Sequence, residues 1–360
     1  MNFISQFLKT ILEWVYSLVG NYGWSVILFT LLIRFVLLPL DVRSKRSMRA
    51  MNRVNPKIQA LQKKYANDKE KLNVKMNELY RKEKINPLAG CLPMLLTLPI
   101  LFCMFTAMRV VANEETVRML IEWASHFTEG GEEALRAAVA SGKDAVSNLI
   151  LSWDASVAQG LDATFNPQFQ SFMWIKNVYQ PDSFTSTIMP AVDAIARSGI
   201  RVVEGTYLTQ DNITIAEAFL ASDTYKVLLQ NMGGNNFMQL KIPFLFTAFT
   251  LTIPNSWDAL MASANGLFIL PILSMVTQFV YTMVTPQPQA TSANGQGGTG
   301  AFMKWFFPIF SLFICATSSA AFSLYWAVVN IIMIIQQWGV DWYLNKQEAK
   351  NNINEEALKP

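Results

Sequence analysis

The chain has 360 residues, of which 52% are hydrophobic and only 15% charged, with a formal net charge of +3. Soluble domains carry about 25% charged residues, so these figures exclude a disordered chain, a collagen-like chain and a disulfide-stapled secreted fold. The three cysteines (Cys91, Cys103 and Cys315) sit in apolar runs too far apart to form a metal pair, and the one histidine, His126, has nothing beside it to complete a zinc site or a catalytic triad. His126 is expected to be an ordinary surface residue, and no catalytic residue, metal or cofactor is expected.

The first question is therefore where the bilayer lies. In Phe3–Val19 the polar residues Ser5, Gln6, Lys9, Thr10, Glu13 and Ser17 recur at helical spacing and leave one apolar face. Residues 1–21 therefore read as an interfacial amphipathic helix. Lys9 and Glu13 break the apolar stretch that a signal peptide would need. A spanning helix takes roughly 20 apolar residues, and five such segments follow: 22–40, interrupted only by Arg34; 88–109; 266–284; 302–317; and 320–340, the last two turning at Thr317-Ser318-Ser319. Ile242–Pro254 is apolar but only 13 residues long, with Pro243 and Pro254, and reads as interfacial or buried.

Charge orients these spans. Residues 41–87 hold 14 Lys/Arg against 5 Asp/Glu, whereas 110–265 hold 8 against 16. Basic loops stay in the cytoplasm, which puts the N-terminus outside, 41–87 inside, 110–265 outside, and the linker 285–301 and the tail 341–360 inside. Within 41–87, Ile58, Leu61 and Tyr65 make one apolar stripe, and Leu72, Met76 and Leu79 make a second after Asn67-Asp68. The pattern predicts a helical hairpin that Pro56 opens and Pro87 ends. Its basic surface suits anionic lipid headgroups and ribosomal RNA equally well. The linker 285–301 is rich in Gly, Pro and Ser/Thr and reads as flexible, and the polar tail is expected to fray.

Arg34 is the most informative residue. An Arg near the bilayer centre costs about 2.5–3.5 kcal/mol, and no span carries an Asp or Glu to pair with it. Either its stem snorkels to the cytoplasmic interface, or it lines a water-filled cavity. Thr97, Thr106, Ser274, Thr277, Gln278 and Gln336 are further polar residues at membrane depth. Of these Gln278 stands out, because lipid cannot satisfy its amide. Tyr325-Trp326 would otherwise be explained by an aromatic belt.

Taken together these segments are familiar. Leu32-Ile33-Arg34-Phe35-Val36-Leu37-Leu38-Pro39-Leu40 resembles the first span of the YidC/Oxa1/Alb3 membrane protein insertases, and Asn86-Pro87-Leu88-Ala89-Gly90-Cys91-Leu92-Pro93 their second. Phe172-Met173-Trp174-Ile175-Lys176-Asn177 resembles a stretch on their outer face, Ile269-Leu270-Pro271-Ile272-Leu273 their third span, and Tyr325-Trp326 through Asn330 to Gln337 their fifth. The matches keep the family's order over roughly 22–109, 165–182 and 266–342. Residues 112–164 and about 183–265 look like insertions, and Ser319, Ala320 and Ala321 stand where the family often has Pro and Gly. Five spans with no large domain before the first are similar to the Gram-positive form. Helical patches at Glu132–Val146 and Ile213–Leu229 suggest a small α-rich cap on the outer face.

The resemblance implies an all-α polytopic protein of the bacterial cell membrane, with five transmembrane helices around a hydrophilic groove, a cytoplasmic helical hairpin and an α-rich extracytoplasmic insert. It implies an insertase and chaperone, not an enzyme, whose groove is lined by Arg34, Thr97, Gln278, Tyr325 and Trp326. Its partners would be nascent membrane proteins, the ribosome, membrane lipids, and the Sec translocon and targeting receptor, with the chain acting as a monomer. The alternative is a channel or anion transporter with Arg34 as its binding site, although neither an internal repeat nor a selectivity filter is found.

Overall fold

The computed structural model describes residues 3–83, 92–161, 165, 167–232, 236–244, 247–285 and 298–357. The chain is mostly helical. It opens with α1 (Phe3–Val19), α2 (Tyr22–Lys64), α3 (Lys69–Lys82) and α4 (Leu92–His126). Short helices follow: α5 (Gly131–Val139), α6 (Lys143–Leu149), α7 (Trp153–Ala158), α8 (Ala194–Arg197), α9 (Gln210–Ala221) and α10 (Asp223–Asn231). Next come the strands β1 (Phe237–Phe244) and β2 (Thr247–Pro254), then α11 (Trp257–Ser263), α12 (Ile269–Val284), α13 (Gly298–Thr317) and α14 (Ala320–Ala357). Two compact units emerge: residues 1–26, 103–272 and 313–324 form the first, and 27–102, 273–312 and 325–360 the second.

The first unit is built on the C-terminal part of α4. Val117, Leu120, Ile121, Ala124 and Phe127 recur at three- and four-residue spacing and pack with Leu135, Ile215, Phe219 and Tyr225 into a closed apolar core. Several of the short surrounding helices, and α11, start at side-chain caps. Ser152, Thr209, Ser222 and Ser256 each accept a hydrogen bond from the backbone N–H three residues on. The patch 132–146 is thus two helices broken at Gly142, whose φ of +98° favours glycine, and the patch 213–229 is two helices broken at Ser222. His126 is not a free surface residue. It is half-buried, its ring lies 5.1 Å from those of Phe127 and Phe165, and its Nε2 has no hydrogen-bond partner among the described residues.

An all-α reading misses one element. The apolar stretch with two prolines pairs as the second strand, and the end of the first, of an antiparallel hairpin in the register Phe237↔Pro254 to Phe244↔Thr247. Thr247, Thr250, Thr252 and Ile253 are β-branched, and Phe249, Leu251 and Ile253 alternate with Thr250 and Thr252 at the period of a strand, not at helical spacing. A two-stranded hairpin consists of edge strands only, which is where proline is tolerated.

At the start of the first unit, α1 presents three faces. Ser5, Leu8, Leu12 and Val15 are buried, Gln6, Thr10, Glu13 and Ser17 are exposed, and Phe3, Ile4, Phe7, Trp14 and Leu18 form an exposed apolar stripe. Lys9 bridges Glu13 at 2.8 Å and the buried Glu114 of α4 at 3.0 Å, while Glu114 also accepts from Tyr207 N at 2.9 Å. Burial alone would lower the Lys9 ammonium, but its hydrogen bonds to Glu13 and Glu114 and their charges outweigh that and raise it above the ordinary lysine value.

In the second unit the sequence-predicted hairpin forms with a different beginning. α2 runs unbroken from Tyr22 to Lys64 with Pro39 and Pro56 inside it, so Pro56 does not open a helix. A turn at 65–68 leads to α3, whose N-cap Asp68 accepts from Lys71 N at 3.0 Å. Val54, Ile58 and Leu72 are buried, and Lys57 bridges Glu83 at 2.6 Å. The expected end at Pro87 and the linker stretch 286–297 lie outside the described residues. The tail also departs from expectation: α14 continues helical to Ala357, and within 341–347 Arg49 of α2 donates to Asp341 Oδ1 (2.8 Å) and Asn345 Oδ1 (2.9 Å), and Arg46 to Gln347 Oε1 (3.0 Å).

Candidate functional site

Every candidate groove position falls in the second unit: Arg34 on α2, Thr97 on α4, Gln278 on α12, and Tyr325 and Trp326 on α14. Arg34, Gln278, Tyr325 and Trp326 are buried, between 6% and 8% exposed. The side chain of Thr97 lies outside the described residues. Around Arg34 the helices are apolar by sequence, and among the described residues its guanidinium has no ion-pair partner. Its charge reaches the phenols of Tyr281 and Tyr325 and the carboxylate of Asp41. Asp41 lies about 10 Å further along the helix, by a rise of 1.5 Å per residue. Burial holds its carboxyl above the usual carboxylate range, against the opposing pull of Arg34 and Lys45.

Polar contacts fix the helices at this depth. Gln336 Nε2 donates to the Arg34 carbonyl at 3.4 Å, linking α14 to α2. Asn330, 2% exposed, donates to the Ser274 carbonyl (3.4 Å) and to Thr277 Oγ1 (3.3 Å), linking α14 to α12. The Thr277 hydroxyl in turn donates within its own helix to Leu273 O (2.7 Å) and Ser274 O (3.2 Å). Gln278 differs, since its amide has no hydrogen-bond partner among the described residues. Asn330 was legible only as part of a resemblance; its position at helical spacing on α14 was the signal. Ser311 Oγ on α13 is a further buried hydroxyl with no partner among the described residues, and nothing in its sequence context set it apart.

A clamp between α2 and α14 continues this polar framework. Asp341 takes Arg49 on Oδ1 and Gln337 Nε2 on Oδ2 (2.7 Å). Burial lowers the nearby Lys45 ammonium, opposed by the charges of Asp341 and Asp41.

In the first unit, the stretch around Trp174 anchors the beginnings of α2, α12 and α14. Phe172 and Ile175 exchange backbone hydrogen bonds at 2.9 Å across Met173-Trp174, which puts Met173 at a φ of +52°. Gly23 lies so close that a Cβ there would be 2.2 Å from Phe172 Cδ2. Asp182 is fully buried. Its Oδ1 accepts from Leu267 N (2.9 Å) and Phe268 N (3.1 Å), and its Oδ2 from Leu270 N (2.7 Å) and the Trp174 indole (3.2 Å). The carboxylate therefore caps α12, although 84 residues separate it from Leu267. The two ends of the segment 183–265 meet here: Gly266 N donates to Ser183 O, and Asn265 Nδ2 donates to Asn177 O and Pro181 O. The Ser-Ala-Ala turn where relatives often have Pro and Gly is closed by Ala320 N donating to Gln180 O (2.8 Å) and Ala321 N to Val178 O (2.9 Å).

Length and composition are sufficient for α2 and for Ala320–Gln347 of α14 to cross a membrane, and α12 and Lys304–Thr317 are shorter apolar helices. Among the described residues no cluster of His, Cys, Asp and Glu could hold a metal ion.

Comparison with known proteins adds the following. The family described as "60Kd inner membrane protein" matches residues 14–257 and 224–348. A "Membrane protein insertase YidC" of Fusobacterium nucleatum is 47% identical over 108 residues, which are 30% of this chain and 53% of that protein. The protein of the same name from Bordetella petrii is 45% identical over 105 residues, 29% of this chain and 19% of its own length. That of Ectopseudomonas mendocina is 44% identical over 103 residues, 29% and 18% respectively. The matched segment thus spans about half the length of the first relative and about a fifth of the others.

Proposed function

The chain belongs to the 60Kd inner membrane protein family, the YidC/Oxa1 family, and from that membership we propose that it is a membrane protein insertase of the bacterial cell membrane. Five spans, 22–40, 88–109, 266–284, 302–317 and 320–340, surround a hydrophilic groove open to the cytoplasm and to lipid. The N-terminus lies outside and the C-terminus inside. A hydrophilic flank of a nascent membrane protein enters the groove, and its apolar segment leaves sideways into lipid.

The observation that carries this reading is Arg34, a buried guanidinium without an ion-pair partner among the described residues, in a unit that also holds Gln278, Tyr325 and Trp326. A permanent buried charge needs water or an acidic visitor, because an unpaired ion in an apolar medium costs several kcal/mol. An acidic residue on a translocating tail meets that need transiently. α12 has 16 residues and is about 24 Å long at 1.5 Å per residue, less than the roughly 30 Å hydrocarbon core, which supports a thinned path beside the groove. No covalent step is required. The burial of a new apolar helix supplies the driving force, about 0.8 kcal/mol per CH₂ before polar costs, and the protein lowers the barrier. The hairpin 41–87 receives the substrate and approaches the ribosome, with the targeting receptor and the Sec translocon as further partners. The unit acts as a monomer among membrane lipids.

The test is complementation. A bacterium depleted of its own insertase and supplied with this chain should regain integration of a single-span substrate, scored by external protease. Unchanged accumulation of uninserted substrate, with the chain present in the membrane, would count against the reading.

A further inference from the structure

Beyond the polar bundle, the residues after the hairpin build a second surface. β2 ends at Pro254, and Ser256 starts α11 by accepting from Ala259 N at 3.1 Å. Phe184, Pro254, Ser256, Trp257, Leu260 and Leu267 enclose a cleft of about 270 Å³. Apart from Ser256 the lining is apolar, yet it is not covered. Trp257 is 72% exposed, and Met261, four residues on and so on the same helix face, is 51% exposed. Ala259 and Ser263 on the opposite face are buried. Sequence order puts this cleft next to a membrane helix, because Leu267 lines it and α12 starts two residues later. The exposed side chains Ile269, Ile272, Val276, Val280 and Met283 recur at helical spacing along α12, and on a spanning helix such a face has lipid as its neighbour. At the rim, Lys176 Nζ donates to the Met261 carbonyl at 2.6 Å, which fixes the last turn of α11 and holds an ammonium beside the apolar edge. An indole and a lysine flanking the start of a span are the residue types that settle at the headgroup level.

We infer that Trp257, Met261 and the cleft behind them form a membrane contact, seated in the outer-leaflet interface with phospholipid as the occupant. This rests on the reading of α12 as a span whose N-terminal end lies outside. Under it, the segment 183–265 is moored to the bilayer beside its own neck, where Asp182 and Gly266 meet, and does not project freely into the aqueous space.

The experiment uses the full chain in phospholipid vesicles with Trp257→benzoylphenylalanine, irradiated and analysed by mass for adducts. Val276→benzoylphenylalanine serves as the lipid reference, and Glu133→benzoylphenylalanine, on an exposed position of α5, as the aqueous one. Phospholipid adducts at 257 should come within about threefold of those at 276 and exceed those at 133 by roughly tenfold, as for a side chain buried at the acyl boundary. Met261→benzoylphenylalanine repeats the measurement should the first variant fold poorly. Adducts at 257 and 261 no higher than at 133, while 276 captures lipid, would overturn the inference and leave the span intact, and so would capture of protein in place of lipid. Absence of lipid adducts at 276 as well would overturn both.

Discussion

Removing the Asp182 carboxylate should destabilise the protein more than any other single acidic substitution outside the spans. The carboxylate is fully buried and accepts four hydrogen bonds, from Leu267 N, Phe268 N, Leu270 N and the Trp174 indole, at 2.7 to 3.2 Å. Each buried donor left unsatisfied costs about 1–3 kcal/mol. Leu267 is partly exposed, so water recovers part of that loss; a total of about 3–5 kcal/mol follows for Asp182→Ala. Asp182→Asn keeps one oxygen and sets an amide N–H₂ against the remaining donors, so about 2–3 kcal/mol is expected. The readout is unfolding free energy in detergent, with amide exchange at 266–272 as the local probe, and Asp258→Ala, exposed in the first turn of α11, as a control expected within about 0.5 kcal/mol. Losses below about 1 kcal/mol for both Asp182 variants, with exchange at 266–272 unchanged, would refute the claim that this carboxylate holds the start of α12.

Three further predictions concern other joints. Gly23→Ala would set a Cβ 2.2 Å from Phe172 Cδ2, and Gly266→Ala one 2.0 Å from Asp182 Oδ1; both should lower the melting temperature, whereas Gly339→Ala, with open space around it, should not. Lys9→Met leaves Glu114 buried without its cation and should cost about 3 kcal/mol at neutral pH. Because the folded Lys9 pKa is raised, its contribution is complete below the unfolded lysine value near 10.4 and fades as pH rises through the folded value; the gap between wild type and Lys9→Met, followed by thermal unfolding, should therefore narrow only above about pH 10.4. Arg49→Ala removes the contacts to Asp341 and Asn345, which are half-exposed, so a global loss of only about 0.5–1 kcal/mol is expected. Amide exchange over 341–357 should nonetheless accelerate clearly, and unchanged exchange there would show that the clamp does not hold the C-terminal helix.

Much of this was legible in the sequence because the bilayer imposes a coarse code. Apolar runs marked the helices α2, α12, α13 and α14, of which α2 and Ala320–Gln347 of α14 are long enough to cross a membrane while α12 and Lys304–Thr317 are shorter, and the turn at Ser318-Ser319 follows from three small polar residues between two apolar stretches. The turn between α2 and α3 followed from two apolar stripes around Asn67-Asp68. Boundaries were less legible where tertiary contacts, not local pattern, decide them. Pro56 sits inside α2, and the first part of the polar tail is tied to Arg46 and Arg49, about 300 residues away in the chain. The β-hairpin was obscured because the apolar run Ile242–Pro254 covers the end of one strand and the whole of the next, so no single period runs through it. At the candidate site, Arg34, Gln278, Tyr325 and Trp326, the residue types that stood out, are buried in one unit. The roles of Asn330, Gln336 and above all Asp182 depend on partners tens to hundreds of residues distant, which spacing alone cannot pair.

The central claim is that Arg34 serves a passing acidic flank. The direct measurement places purified protein in sealed liposomes with ribosomes translating a single-span substrate whose N-terminal tail is acidic, and scores protease protection of that tail. Wild type, Arg34→Ala and empty vesicles are compared, and the same series is run with a neutral tail. The account predicts protection above empty vesicles with wild type, and a loss on Arg34→Ala that is greater for the acidic tail than for the neutral one. Protection equal to that of empty vesicles would contradict the insertase reading, and equal behaviour of the two tails in Arg34→Ala would contradict the role given to the guanidinium.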